Sequence, residues 1–172
     1  MKKIIYTLLL FTSTLVFSQE AKDVFDIARK GTVEQAKEIL KANPSAFNTV
    51  NVEGYSPLVL ACYRGNNEVA KLLIASGSDI NGISKMGTPL MAAVVKGNNE
   101  IAAILISNKA DLNAADANGT TALIYAIQFN NKTVLKLLLE NKVDKTHKDK
   151  DGKTAFEHAV FAGNEEIINL LK

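Results

Sequence analysis

The chain has 172 residues, 47% hydrophobic and 22% charged, which suits one domain with a buried core and is too apolar for a disordered segment. Its 20 Lys and Arg against 18 Asp and Glu give no strong excess of either sign, so charge alone points to neither nucleic acid nor an anionic membrane, which need a clustered positive field. A lone cysteine, Cys62, excludes an internal disulfide, and stability must come from packing.

The chain opens with MKKIIYTLLLFTSTLVFSQE. Lys2 and Lys3 form a basic head, residues 4–17 an apolar run, and Val16 and Ser18 supply the small residues that signal peptidase requires. Thr12, Ser13 and Thr14 interrupt the run, which falls short of the roughly 20 apolar residues of a bilayer-spanning helix. The pattern predicts a signal peptide over residues 1–18, cut before Gln19, and an exported chain, periplasmic or secreted, with no membrane insertion after cleavage. Losing Lys2 and Lys3 leaves 18 basic residues against 18 acidic ones, so the mature chain is formally neutral. The short MKK-type leader looks bacterial. The acceptor-like Asn118-Gly119-Thr120 and Asn131-Lys132-Thr133 therefore carry no weight.

Residues 19–172 read as one repeat domain: a cap over 20–49, repeats over 50–82, 83–114 and 115–147, and a closing repeat over 148–172. The cap segment VFDIARKGTVEQAKEIL, residues 24–40, has a helix-Gly-helix rhythm. Four aligned segments follow: GYSPLVLACYRGNNEVAKLLI from Gly54, GTPLMAAVVKGNNEIAAILI from Gly87, GTTALIYAIQFNNKTVLKLLL from Gly119 and GKTAFEHAVFAGNEEIINLLK from Gly152. Leu58, Leu90, Leu123 and Phe156 recur at intervals of 32, 33 and 33 residues, the signature of a solenoid.

Each unit repeats the same local chemistry. Ser56, Thr88, Thr121 and Thr154 stand where a hydroxyl caps the first free amides of a helix. Pro57 and Pro89 follow at the first helical position, where a missing N–H costs nothing. Ala61, Ala93, Ala126 and Ala159 allow close helix approach. Gly65, Gly97 and Gly163 end the first helix in a left-handed conformation, with Asn130 in that place in the third unit. Asn66, Asn98, Asn131 and Asn164 then cap a second helix bearing apolar pairs such as Leu72-Leu73, Ile104-Leu105 and Leu137-Leu138. The turn-rich GSDIN, KADLN and KVDKT come after it. Each unit is thus a helix, a tight turn, an antiparallel helix and a projecting hairpin.

This sequence resembles the ankyrin repeat, over nearly all of the chain after the leader and best from Gly54 to Asn113. The resemblance implies an all-α solenoid, an ankyrin-repeat stack of antiparallel helix pairs with projecting β-hairpin loops. It departs from the family pattern at three places. Val59, Met91, Ile124 and Glu157 stand where the family has a histidine, which puts the usual inter-repeat hydrogen bonds in doubt. Lys109 and Lys142 replace a glycine after the second helix. The interval between the first two hairpins is one residue short, which predicts an irregular tip over residues 82–86.

The ends of the array read as polar. Gln35 and Glu38 replace Val69 and Leu72 of the next unit, and His158 and Lys172 occupy the face that a following repeat would cover. Terminal repeats need such an outer side for solubility, so the array reads as closed and monomeric.

No catalytic constellation stands out, and no enzyme activity, cofactor or metal is expected. Cys62 lies three repeats before His158, and stacked helices are spaced roughly 10 Å apart, which rules out a Cys-His pair within one molecule. Cys62 reads as a small buried residue, His147 as a solvated loop residue and His158 as part of the terminal cap. Asp144, Asp149 and Asp151, interleaved with Lys145, Lys148, Lys150 and Lys153, read as a mixed-charge hairpin rather than a calcium site.

The resemblance implies a concave groove lined by the hairpin tips and the ends of the first helices, where family members bind other proteins. Just before each inter-helix turn stand Arg29-Lys30, Tyr63-Arg64, Val95-Lys96, Gln128-Phe129 and Phe161-Ala162. One column is basic through Lys30, Arg64 and Lys96 and then apolar at Phe129. Its companion supplies Tyr63, Val95, Gln128 and Phe161, and Tyr55 stands at a hairpin base. Aromatic and arginine side chains of this kind dominate interface energies. The expected partner is a protein segment, acidic toward Lys30, Arg64 and Lys96 and apolar toward Phe129 and Phe161. The roles left open are an exported scaffold or adaptor, an immunity protein or inhibitor that neutralises a toxin, and a protective partner of an exported enzyme such as catalase.

Overall fold

The computed structural model describes residues 23–172, so the leader over residues 1–18 lies outside the described residues. Ten helices in five antiparallel pairs are found there: α1 (Val24–Lys30) with α2 (Val33–Ala42), α3 (Pro57–Arg64) with α4 (Asn67–Ala75), α5 (Pro89–Val95) with α6 (Asn99–Ser107), α7 (Ala122–Gln128) with α8 (Lys132–Glu140), and α9 (Ala155–Phe161) with α10 (Glu165–Leu171). The first helices stack in one layer from α1 to α9, and α2, α4, α6 and α8 stack in a second. Ala61, Ala93, Ala126 and Ala159 are fully buried, and so are Leu58, Leu90 and Leu123. Methyl-sized side chains at the tightest approach let such short helices sit close enough to exclude water.

Caps set the helix starts. The hydroxyls of Ser56, Thr88, Thr121 and Thr154 accept from the backbone N–H of Val59, Met91, Ile124 and Glu157. Pro57 and Pro89 open α3 and α5. Gly65, Gly97 and Gly163 turn the chain at φ of 75°, 69° and 64°, and Asn130 does so at 51°.

The second helices start differently. Asn98, Asn131 and Asn164 cap α6, α8 and α10 by accepting from Ile101, Val134 and Ile167, at 3.3, 3.2 and 3.2 Å. Their amide nitrogens donate backward, to the Oδ1 of Asn67, Asn99 and Asn130 in the preceding unit, at 2.6, 2.8 and 2.9 Å. Asn66 makes no cap bond and donates instead to the carbonyls of Ile27, Ala28 and Gly31 at the end of α1. A carboxamide carries both a donor and an acceptor, which a serine, threonine or aspartate at a cap cannot offer in the same form. This ladder of asparagines joins the units where the family histidine is missing.

The loops between pairs are tighter than the expected hairpins. Among the described residues they form two isolated antiparallel bridges, Ser84–Gly87 and Ala115–Thr121, and no extended strand. The Oδ1 of Asn51, Asp116 and Asp149 each accepts from two backbone N–H groups further along, which folds the chain back before a ladder can grow. Asn81 and Asn113 then accept from the N–H of Asp111 and Asp144 of the next loop, both at 2.8 Å. The irregularity expected over residues 82–86 lies slightly later. Asn51 N–H bonds to the carbonyl of Tyr55, and Asp116 and Asp149 to those of Thr120 and Lys153, whereas Ser84 N–H bonds to Gly87. The second loop thus lacks the residue between its glycine and its helix cap.

The end faces differ from each other. Gln35 closes a capping box with Thr32, and Glu38 is exposed, as a polar N-terminal side requires. At the other end Lys172 is exposed and His158 is half-buried, but the same face bears Phe156 at 39% exposure and Val160 at 51%. Their counterparts in internal units are buried: Leu58, Leu90 and Leu123 for the first, Cys62, Val94 and Ile127 for the second. The C-terminal face is therefore not the polar cap expected. Positions 158 and 172 flank the covered area, and positions 156 and 160 fill it.

Two predictions follow from this chemistry. Lys109 and Lys142 sit at φ of 68° and 60°, where a Cβ crowds the backbone. Lys142→Gly is expected to raise unfolding stability by about 0.5–1 kcal/mol in urea melts. Asn131→Ser keeps a cap acceptor but is too short to reach Asn99, and is expected to lower stability by about 1 kcal/mol.

Candidate functional site

Five inter-helix turns come into register along the stack, and their exposed residues form a stripe. Lys30, Arg64, Lys96, Phe129 and Ala162 are all exposed. The stripe is less uniform in charge than the sequence implies. Lys30 lies 3.7 Å from Asp26, which also takes Arg29 at 3.1 Å, so two cations share one carboxylate in the first unit. Arg64 and Lys96 have no ion pair among the described residues. The ammonium of Lys96 stands 5.0 Å from the centre of the Tyr63 ring, a cation–π contact across one unit boundary.

The apolar end of the stripe is well presented. Phe129 is 52% exposed and Phe161 85% exposed. Val95, Lys96, Phe129 and Lys132 line a shared cleft of about 600 Å³ between the third and fourth turns. Gln128 is exposed beside it, whereas Tyr63, Val95 and Tyr55 are half-buried. Tyr63 and Tyr55 pack against the core, so their rings are only partly available. The ammonium of Lys153 lies 5.3 Å from the Phe161 ring. The stripe residues thus form neighbouring pairs, Tyr63 with Lys96 and Val95 with Phe129, while Tyr55 stands apart at its loop.

Sequence reasoning missed Tyr125. Its ring lies 6.2 Å from that of Phe129, tilted by 38°, and its hydroxyl donates to Asp116 Oδ2 at 2.7 Å. Burial, helped by that carboxylate, pushes its phenol up to about 12, so the hydroxyl stays a donor. Tyr125 therefore backs Phe129 and ties it to the loop of its own unit. The signal was present one repeat later, where His158 occupies the same register position and its Nε2 meets Asp149 Oδ2 at 2.6 Å.

Groups considered for chemistry have structural partners. Cys62 is fully buried and its thiol is pushed up to about 12 by that burial, which removes the reactive thiolate. Two helices, α5 and α7, separate its helix from that of His158. His147 is not a solvated loop residue: Nε2 lies 2.9 Å from the carbonyl of Gly119, tying the fourth loop to the third. The acidic run is engaged by its own backbone, with Asp144 accepting from Thr146 and Asp149 from Asp151 and Lys153.

A family model for ankyrin repeats, spanning three copies, matches residues 24–116 and 108–172. The chain belongs to the ankyrin-repeat family. Ankyrin repeats mediate protein–protein interaction, and the family is a non-catalytic interaction module. Among curated proteins, the ankyrin repeat and SAM domain-containing protein 6 of Rattus norvegicus is 34% identical over 59 residues, and that of Danio rerio 32% over 59 residues. Each match takes in 34% of this chain but only 7% and 8% of those relatives. The chain therefore spans a small fraction of their length, and the likeness concerns the ankyrin repeats.

The last ankyrin unit carries an acid-sensitive set of carboxylates. Backbone bonds from Lys153, then the bond with His158, hold Asp149 below its ordinary 3.8, and backbone and side-chain bonds from Thr154 hold Glu157 below 4.5. Lys132 lowers Glu166 in the same way. A depressed carboxylate stabilises the fold above its ordinary value and loses that contribution as pH falls through its lowered one. The protection of α9 and α10 amides, after correction for the intrinsic pH dependence of exchange, is therefore expected to hold between pH 7 and 5 and to fall below about pH 4, ahead of that of α5.

Proposed function

We propose that the chain is an exported scaffold or adaptor that binds a periplasmic or cell-surface protein along its stripe of turn residues. The observation that carries this reading is the graded stripe itself: two exposed cations, Arg64 and Lys96, followed in the same column by the exposed Phe129, with the exposed Phe161 in the adjoining column. Exposed aromatic rings beside a cleft cost solubility unless they serve an interface. Their register matches a linear or helical segment with acidic residues at one end and apolar residues at the other. The N-terminal leader pattern of residues 1–18 supports export and, with it, an extracytoplasmic partner. No observation favours the inhibitor or enzyme-protecting role over the adaptor.

Charge reversal and truncation test the stripe. For a partner captured from the cell envelope, Arg64→Glu is expected to weaken binding roughly tenfold or more and to flatten its salt dependence, by the loss of an attractive charge and the gain of a repulsive one. Phe129→Ala should weaken it by about 1–2 kcal/mol, mainly through faster dissociation. Calorimetry on folded variants with affinities equal to the parent would remove the stripe from the interface.

A further inference from the structure

We propose that the notch between the first two loops docks an extended peptide segment carrying a large apolar side chain next to a lysine or arginine. This second site lies apart from the stripe and rests on the protein-binding reading only for the class of its ligand.

The notch arises from the shortened second loop. In the units that begin at Gly54, Gly119 and Gly152, one residue separates the glycine from the helix cap, namely Tyr55, Thr120 or Lys153. Gly87 is followed directly by its cap Thr88. Elsewhere each loop is laced to the one before it, with Asp111 N–H on Asn81 and Asp144 N–H on Asn113. Asp79 and Asn48 occupy the corresponding positions at the first boundary, and among the described residues no hydrogen bond joins them. Between these loops lies a cavity of about 580 Å³.

Its surface has three parts. The floor is apolar, made by Phe47 at 2% exposure and Leu58 at 1%. The rim carries Val50 at 61% and Ile83 at 63%, large aliphatic side chains that the fold leaves in water. Asp79 is the single charged residue in the lining, and its Oδ1 accepts from Asn81 N–H within its own loop.

These parts specify the occupant. An aliphatic or aromatic side chain covers the floor and the two rim residues. Asp79 N–H and the Asn48 carboxamide meet a peptide backbone in the way the neighbouring loops meet one another, which favours an extended chain. The Asp79 carboxylate selects a cation beside the anchor and disfavours an acidic segment, the opposite preference to that of the stripe.

The test is amide NMR titration of the intact chain with two synthetic probes, acetyl-GKLKG-amide and acetyl-GELEG-amide. The basic probe is expected to shift the amides of Asn48, Val50, Asp79 and Ile83 saturably, and to bind roughly threefold or more tighter than the acidic one, the range of an exposed ion pair. Asp79→Lys should invert that preference. Ile83→Glu, a change at an exposed side chain, should abolish the response. Arg64→Glu and Phe129→Ala should leave it unchanged, which separates this site from the stripe. The proposal is overturned by absence of saturable shifts, by equal response to both probes, or by shifts centred on Phe129. Concentration-dependent shifts of the same amides without any peptide would assign the notch to a second copy of the chain and overturn it equally.

Discussion

The asparagine that caps α6, α8 and α10 does two jobs with one side chain, and the stack depends on both. Its oxygen satisfies a helix amide while its nitrogen grips the preceding unit, as at Asn98, Asn131 and Asn164. A helix of nine residues or fewer is marginal in water and owes its stability to packing. Coupling the start of each helix to its neighbour means that a unit cannot fold its second helix without registering on the first. Solenoid stability is a sum of unit terms and nearest-neighbour terms, and here the neighbour term is directional. The outer layer adds ion pairs of the opposite sense, in which Lys71 reaches forward to Glu100 at 2.6 Å and Lys132 to Glu166.

Much of this architecture was legible in the sequence, because its signals are local. Hydroxyls before helices, prolines at first helical positions and glycines after them each act within a turn of chain, and the structure places every one as read. The asparagine ladder was half legible. Its capping role follows from position, whereas the backward bond depends on the distance between units. The loops were read as longer hairpins because turn residues mark where the chain reverses but not how soon Asx bonds close it. The C-terminal face is less polar than the sequence predicts for a related reason: His158 and Lys172 are two positions on a surface that also bears Phe156 and Val160.

For the candidate site, the identity of the stripe residues was legible and their electrostatics were not. Repeat register alone puts Lys30, Arg64 and Lys96 in one column. Lys30 shares the carboxylate of Asp26, one helical turn back on the same face, with Arg29, and a column of turn residues does not display such a neighbour. Tyr125 escaped because a residue that supports an exposed ring looks, in sequence, like any core aromatic. The notch was half legible. The repeat interval shows that the second loop is one residue short, whereas the bonds that neighbouring loops make and this boundary does not depend on how the loops meet in the fold.

That boundary also has a mechanical meaning. Loops joined by a short hydrogen bond resist being spread, and the pair flanking the second unit lacks that tie. Arg64 at the end of α3 and Lys96 just past α5 stand on opposite sides of it. The separation of the two charges is held from the turn side instead, by the bond from Asn98 to Asn67, the ion pair of Lys71 with Glu100 and the contact of Lys96 with the Tyr63 ring. The two units are thus pinned at the turns where charge is read and untied at their loops, so any spreading of this pair opens the notch and leaves the spacing of the cations in place.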